Sequence, residues 1–499
     1  MRFSGLKKRS LTGFWFSSIL LLTFASLLTS CGKDFYFAGR SLPPSGVLNR
    51  VLIAEQNPGV GAKGALPFVD AYYDIRHPYN ATTGSFSISG YTGSLPLTIQ
   101  NMPEEQVGAV YGAGDGSFVI VSYAQEKTGT PITIPGGLSS SIFVTRARDF
   151  VYAANGTTHV VSVVDIASGK SYTLNLPNAY RVSINPGGTI ALVFVQNAMQ
   201  PANSLIGTTP SDQFGVYSIV GLNAAQQQAA ATSTDPQHYL NAQDCEPQNL
   251  PAFCVFPVST GPNASFDHPV KALFSPDGST AYVVDCGPEC GGTTAGVTTI
   301  PIVASALNSN TSGAKGIALV AENNIAVPGG ATNGIFNGNT LYLAGQELET
   351  SGPYAGLFQG NLSILNTQTG QVTGPYAISD GTHNKMVFAD DNTLWIGATQ
   401  CTSGVTYAEA QATGGSQYGC LTSFNTSTNT ATLDAYKGDA TGIAAVTGLG
   451  KVYTAEGGQV YIYNTADMSE RSNFNVTVQG TATDVAYMDA GSDGDNTTY

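Results

Sequence analysis

Charge is scarce in this chain of 499 residues. Asp, Glu, Lys and Arg make up 11% of it, with 20 Lys or Arg against 34 Asp or Glu, a formal net charge of −14. So acidic a chain has no general attraction for a polyanion, which excludes non-specific nucleic-acid binding. The five histidines, His77, His159, His238, His268 and His383, are scattered. There is no HExxH, no GxSxG, no P-loop, and no GxGxxG between a strand and a helix. No catalytic set, no metal ligand set and no cofactor is therefore expected. Beyond residue 28 no long apolar run occurs, so nothing further is expected to cross a membrane as a helix.

What is present begins at the N-terminus. Arg2, Lys7, Lys8 and Arg9 precede an apolar run from Leu11 to Leu28, followed by Thr29-Ser30-Cys31. That is the layout of an export signal. Leu28-Thr29-Ser30-Cys31 resembles the bacterial lipobox, which implies cleavage before Cys31 and a lipid on its thiol. Residues 1–30 would then be a leader and 31–48 a tether, with the membrane as a partner through Cys31. The residue after the cysteine is Gly32, with no aspartate to suggest inner-membrane retention, so an outer-membrane or surface location is expected. Losing the four leader cations leaves 16 Lys or Arg against 34 acids, a formal −18.

Export gives the cysteines a reading. Cys31 aside, the other six of the seven fall in neighbouring pairs: Cys245/Cys254, Cys286/Cys290 and Cys401/Cys420. An even number outside the cytoplasm favours disulfides. Zinc is the rival; it would need two pairs, or a pair with histidines, converging on one tetrahedral site, and no histidine lies near any pair in sequence.

Internal repetition is the main signal. Residues 141–177 (SIFVTRARDFVYAANGTTHVVSVVDIASGKSYTLNLP) show a short strand, a tight turn, a Tyr- and Val-rich strand, a loop, an alternating strand ending in Asp, a polar turn and a last strand. Similar units occur at 181–220, 270–285, 333–367, 386–426 and 442–464, with a looser one at 97–134. Alternation gives each strand a buried face, and such blades must stack to cover both faces. The unit starting at 49–56 and 67–73 lacks an innermost strand, and 483–489 (TDVAYMD) can supply it. The expected fold is an all-β propeller of four-stranded blades, eight by count, or seven if 97–134 merges with a neighbour. It would span 49–489 as a single, monomeric domain, with insertions at 196–213, 221–253 and 400–420. An acidic flexible tail, 490–499, would follow. Helix is expected at most in 223–232.

FVYAANGTTHVVSVVDIASGK and FSPDGSTAYVVD resemble the YVTN-type repeats of bacterial surface and lactonase-like propellers. The resemblance implies a fold and an extracytoplasmic setting, and little about chemistry. Trp15 and Trp395 are the only tryptophans, which argues against tryptophan-docked and WD-type propellers.

Aligned on their first turns, the innermost strands place Arg181, Lys271, Asn333, Lys385 and Asp484 at one register near the channel mouth. Three of the 16 mature cations share that register, with His268 and His383 close by in sequence, so a pocket for an anion or carboxylate is one reading. Pairing with Asp267, Asp380 and Asp484 is the other. Loops between second and third strands, including 286–295 and 400–420, share the face of the blade-to-blade connections, whereas Cys245/Cys254 should lie on the opposite face. The functional expectation is a lipid-anchored, non-enzymatic binding or scaffolding module for a protein or glycan at the bacterial envelope. Two alternatives are a lactonase-like hydrolase using the channel mouth, and an assembly factor similar in design to the propeller lipoprotein of the outer-membrane barrel-assembly machinery.

Overall fold

The computed structural model describes residues 40–493 except 60–61, 79–83, 136–138, 140, 159, 175, 177, 186, 189, 197–213, 222–244, 247–252 and 303–318. Cys31 and the expected leader, the helix expected at 223–232, and nearly all of the insertions at 196–213 and 221–253 lie outside the described residues. Eight sheets succeed one another along the chain as the blades of a propeller. Residues 96–134 form a blade of their own, so the count is eight. The innermost strands of blades 2–8 are, in order, Pro96–Met102, Ser141–Val144, Ala179–Ile184, Pro269–Phe274, Asn333–Asn337, Thr382–Ala389 and Ala440–Val446. Blade 1 takes Arg50–Gln56 and Phe68–Asp70 from the start of the chain and its innermost strand, Thr481–Tyr487, from the end.

Strand alternation builds the core. In Arg50–Gln56, Val51 and Ile53 pack toward blade 8 while Leu52 and Ala54 pack toward blade 2. The same division recurs around the ring, so eight apolar clusters fill eight gaps between consecutive blades. Trp395, fully buried between blades 7 and 8, is the largest of these side chains, and its indole N–H donates to Thr393 Oγ1 at 3.0 Å.

A second regularity escapes the sequence pattern. In blades 2, 4, 5, 7 and 8 the first hairpin skips one residue of the innermost strand, between Pro96 and Thr98, Ala179 and Arg181, Pro269 and Lys271, His383 and Lys385, and Ala440 and Gly442. Blade 1 has its irregularity at the same level, opposite Asp484 and Ala482. Such bulges bend a strand and re-aim its side chains. Here they sit where the strands start, beside the central channel.

Closure of the ring rests on a buried knot of charge. Arg50, 1% exposed, donates through Nη2 to Asp489 at 2.7 Å, through Nη1 to Glu126 at 2.9 Å and to the Tyr123 carbonyl at 2.7 Å. The flanking segments are docked as well. Ser45 N donates to Glu126 at 2.9 Å, Arg40 donates to the Ala490 carbonyl at 2.9 Å, and Asp493 accepts from Glu104 N at 3.0 Å and pairs with Arg146 at 3.2 Å. The folded unit therefore reaches from Arg40 to Asp493, beyond the expected 49–489. Asp489 pairs with Arg50 within blade 1 and Asp493 with Arg146 of blade 3, so these acids are not a solvated tail. Asp489→Ala leaves Arg50 buried without its principal counter-charge, which should cost about 3–5 kcal/mol. A urea midpoint unchanged in Asp489→Ala would refute the knot's role in closure.

Candidate functional site

The centre of the ring holds a cavity of about 800 Å³, lined by the starts of the innermost strands. Arg181, Lys271, Asn333 and Lys385, expected at one register, all line it, and so does His383. The bulges contribute too: the skipped residues Leu97, Val270, Asn384, Thr441 and Thr483 line the same space.

The three cations differ in their partners. Lys385 Nζ lies 2.8 Å from Asp484 Oδ2, which also accepts from Ile99 N at 2.9 Å and Thr98 Oγ1 at 3.2 Å. That reach across blade 8 depends on Gly442, because a Cβ there would stand 2.6 Å from Val485 N and 2.8 Å from Asp484 Oδ1. Lys271 Nζ donates to Asn333 Oδ1 at 2.8 Å, in the next blade. Burial, reinforced by the charges of Lys385 and Arg181, pushes its ammonium down to about 8. Arg181 Nη1 reaches the Val270 carbonyl only at 3.4 Å. Its side chain meets solvent within the channel while protein encloses it, and that burial lowers the guanidinium from its ordinary value.

The two histidines do not share a site. His383 is 2% exposed, its Nε2 contacts the Ser379 carbonyl at 2.9 Å, and burial pushes it down to about 4, so it is neutral near pH 7. His268 does not line the cavity. It contacts Asp267 at 2.7 Å and its ring lies against Phe214, the centroids 3.9 Å apart. Asp267 in turn accepts from Thr293 N and Thr294 N, at 2.7 and 2.8 Å, and so holds the loop after Cys290. His268 is thus placed in a loop anchor rather than with the cations. Proximity in sequence did not carry over because the channel-facing bulge lies between it and Lys271.

The cavity rim is stapled. Disulfides join Cys286 to Cys290 and Cys401 to Cys420, with Cα atoms 5.7 and 5.3 Å apart. Cys245 and Cys254 stand directly opposite each other across two paired strands at the outer edge of blade 4. Cys290 and Glu289 line the cavity, and Glu289 accepts from Gln346 N at 2.9 Å and Gln346 Nε2 at 3.0 Å, tying blade 5 to blade 6. Gln346 Oε1 accepts from Gly381 N at 2.9 Å, which carries the tie to blade 7. Inside the 401–420 loop lies the α-helix among the described residues, α1 (Val405–Thr413). Asp380 caps its start, accepting from Thr406 Oγ1 at 3.1 Å and Tyr407 N at 3.2 Å. This helix was not expected from the sequence: the loop reads Gly404 to Gly414 with no amphipathic stripe, and a carboxylate from a neighbouring segment supplies the cap. Tyr407 and Tyr418 meet edge to face at 5.2 Å, and Tyr418 stacks on Tyr436 at 5.7 Å, giving this loop an aromatic ledge. Tyr354 also sits half-buried in a rim loop. Among the described residues no group of three His, Cys, Asp or Glu could hold a metal ion.

A dihydro-heme d1 dehydrogenase, solved in complex with DHE, is similar to this chain with a TM-score of 0.51 and 10% identity, over 90% of this chain and 79% of the other. The shared feature is the propeller fold. Kuenenia stuttgartiensis hydrazine synthase matches with a TM-score of 0.44 and 14% identity, over 78% of this chain and 99% of the other. A 6-phosphogluconolactonase-like protein of Bacteroides uniformis matches with a TM-score of 0.42 and 12% identity, over 88% and 99%. No family model matches the chain, and no curated protein matches its sequence.

Buried acids around and beneath the rim set a pH dependence. Burial pushes Asp285 up to about 7, Glu289 to about 6 and Glu456 to about 7, all above their unfolded values near 4. The folded chain therefore holds more protons than the unfolded one between roughly pH 4 and 7, and stability falls as pH rises through that window. His383, pushed down to about 4, opposes this below pH ~6.5, one group against three. The urea midpoint should be higher at pH 5 than at pH 8, and Asp285→Asn should reduce the difference; a higher midpoint at pH 8 would contradict the assignment. Thiol labelling checks the staples: Cys286, Cys290, Cys401 and Cys420 should react only after reduction and unfolding.

Proposed function

We propose that this chain is a lipid-anchored, extracytoplasmic binding or scaffolding propeller of the bacterial cell envelope that holds a protein or glycan partner and performs no chemistry of its own. Several features support the reading. Two disulfides are the usual chemistry of an oxidising compartment. No helix of the described residues is long and apolar enough to cross a membrane; attachment through Cys31 rests on the resemblance of Leu28-Thr29-Ser30-Cys31 to a lipobox. The observation that carries the binding role is a pair of rigid, disulfide-closed loops, one placing Cys290 on the cavity and the other, 401–420, bearing Tyr407 and Tyr418 in an aromatic ledge with Tyr436. Rigid scaffolds present recognition on such loops, and tyrosine combines large contact area with a polar tip.

The lactonase-like alternative draws nothing from the histidines as a pair. His268 is committed to Asp267 away from the cavity, and His383 is neutral with one nitrogen already on the Ser379 carbonyl. The assembly-factor alternative differs only in the partner and is an outcome of the same test.

The test pairs capture with turnover. The parent protein and a Tyr407→Ala/Tyr418→Ala double variant are crosslinked in envelope extracts and applied to immobilised glycans. The parent should retain a partner that the variant loses by about tenfold or more, the scale of truncating interface aromatics. Hydrolysis of a lactone and ester panel that disappears in His383→Ala would instead establish an enzyme.

A further inference from the structure

Among the described residues, two of the channel cations meet no counter-charge. Among the described residues, Arg181 has only a 3.4 Å contact to a carbonyl and Lys271 only the Asn333 oxygen. The acids nearby are already engaged. Asp484 serves Lys385, Thr98 and Ile99, and Glu289 accepts two bonds from Gln346. Arg181 and Lys271 stand on neighbouring innermost strands, close enough for the Arg181 charge to act on Lys271. Holding like charges together in an enclosed space is unfavourable unless an anion joins them. The protein, at −14 overall, has few cations to place, yet gathers these.

The donors around them are arranged for oxygen ligands. Asn333 Oδ1 accepts from both Lys271 Nζ and Gly334 N, at 2.8 and 2.9 Å, which leaves the Nδ2 end as a donor beside the lysine. Lys271 retains donors beyond the one given to Asn333, and the Arg181 fork is almost unspent. A planar guanidinium next to an ammonium and an amide N–H₂ suits a group with two or three equivalent oxygens. The cavity, at about 800 Å³, is far larger than such a group, so the anionic head would belong to a larger molecule.

We propose that Arg181, Lys271 and Asn333 form a binding site in the channel for the carboxylate or phosphate group of a small organic anion. This deepens the reading of the chain as a binding module and rests on it, but uses the channel rather than the rim.

The experiment is calorimetric titration of the purified protein at low salt with citrate and, separately, inorganic phosphate. Saturable one-to-one binding of at least one is expected, weakened about tenfold or more in Arg181→Gln and in Lys271→Met, the loss of a charge-assisted contact. Lys170→Gln, an exposed site over Tyr172, should bind as the parent does. Citrate alone binding assigns a carboxylate, phosphate alone a phosphate. Without ligand, both channel variants should melt no lower than the parent, because each removes a repulsion, so lost binding is not lost folding. No binding of either anion below ~10 mM, or channel variants that bind like the parent, would overturn the site. Rim capture by Tyr407 and Tyr418 is measured independently, so the two proposals can fail separately.

Discussion

The two ends of the chain meet in one blade, and everything else depends on that meeting. A propeller blade covers neither face alone, so a ring left open would expose the apolar faces of blades 1 and 8 together. Backbone pairing of Thr481–Tyr487 with Arg50–Gln56 closes it, and the buried Arg50 with Asp489 and Glu126 locks the seam to blade 2. A buried ion pair is a poor source of net stability, since both charges lose water. Its value here is specificity: only the correct closing register satisfies Arg50.

Closure forces eight strand starts toward one axis, and the bulges decide what faces it. Each extra residue turns the strand and brings its neighbour into the channel. The result is a cavity bordered by polar and cationic side chains while the interfaces between blades stay apolar. Asp484 shows how closely the two requirements are linked. One carboxylate oxygen serves blades 7 and 2 from blade 1, over a glycine in blade 8.

The rim obeys another constraint. Long loops would leave the mouth open to rearrangement, and the chain prevents this with disulfides and with acids that bind backbone amides. Glu289, Asp267 and Asp380 each fasten a loop to a neighbouring segment. Burial raises the Glu289 and Asp380 carboxyls and so adds to the acid-side stability, whereas the hydrogen bonds to Asp267 hold its carboxyl below the usual range.

Repetition and alternation determined the architecture: units with a strand-turn-strand pattern could only stack as blades, and a first unit short of one strand required the last segment to complete it. The shared register of Arg181, Lys271 and Lys385 was legible for the same reason, because the turns fix the phase of each strand. Partnership was not legible. That Lys385 meets Asp484 while Lys271 and Arg181 meet no carboxylate among the described residues, that Asp380 caps α1 in the 401–420 loop and that Asp489 and Asp493 pair with arginines are contacts between separate parts of the chain, whereas His268 turns to its own sequence neighbour, Asp267. A periodic pattern records which face a residue shares. Only the closed ring decides what stands on the other side of it.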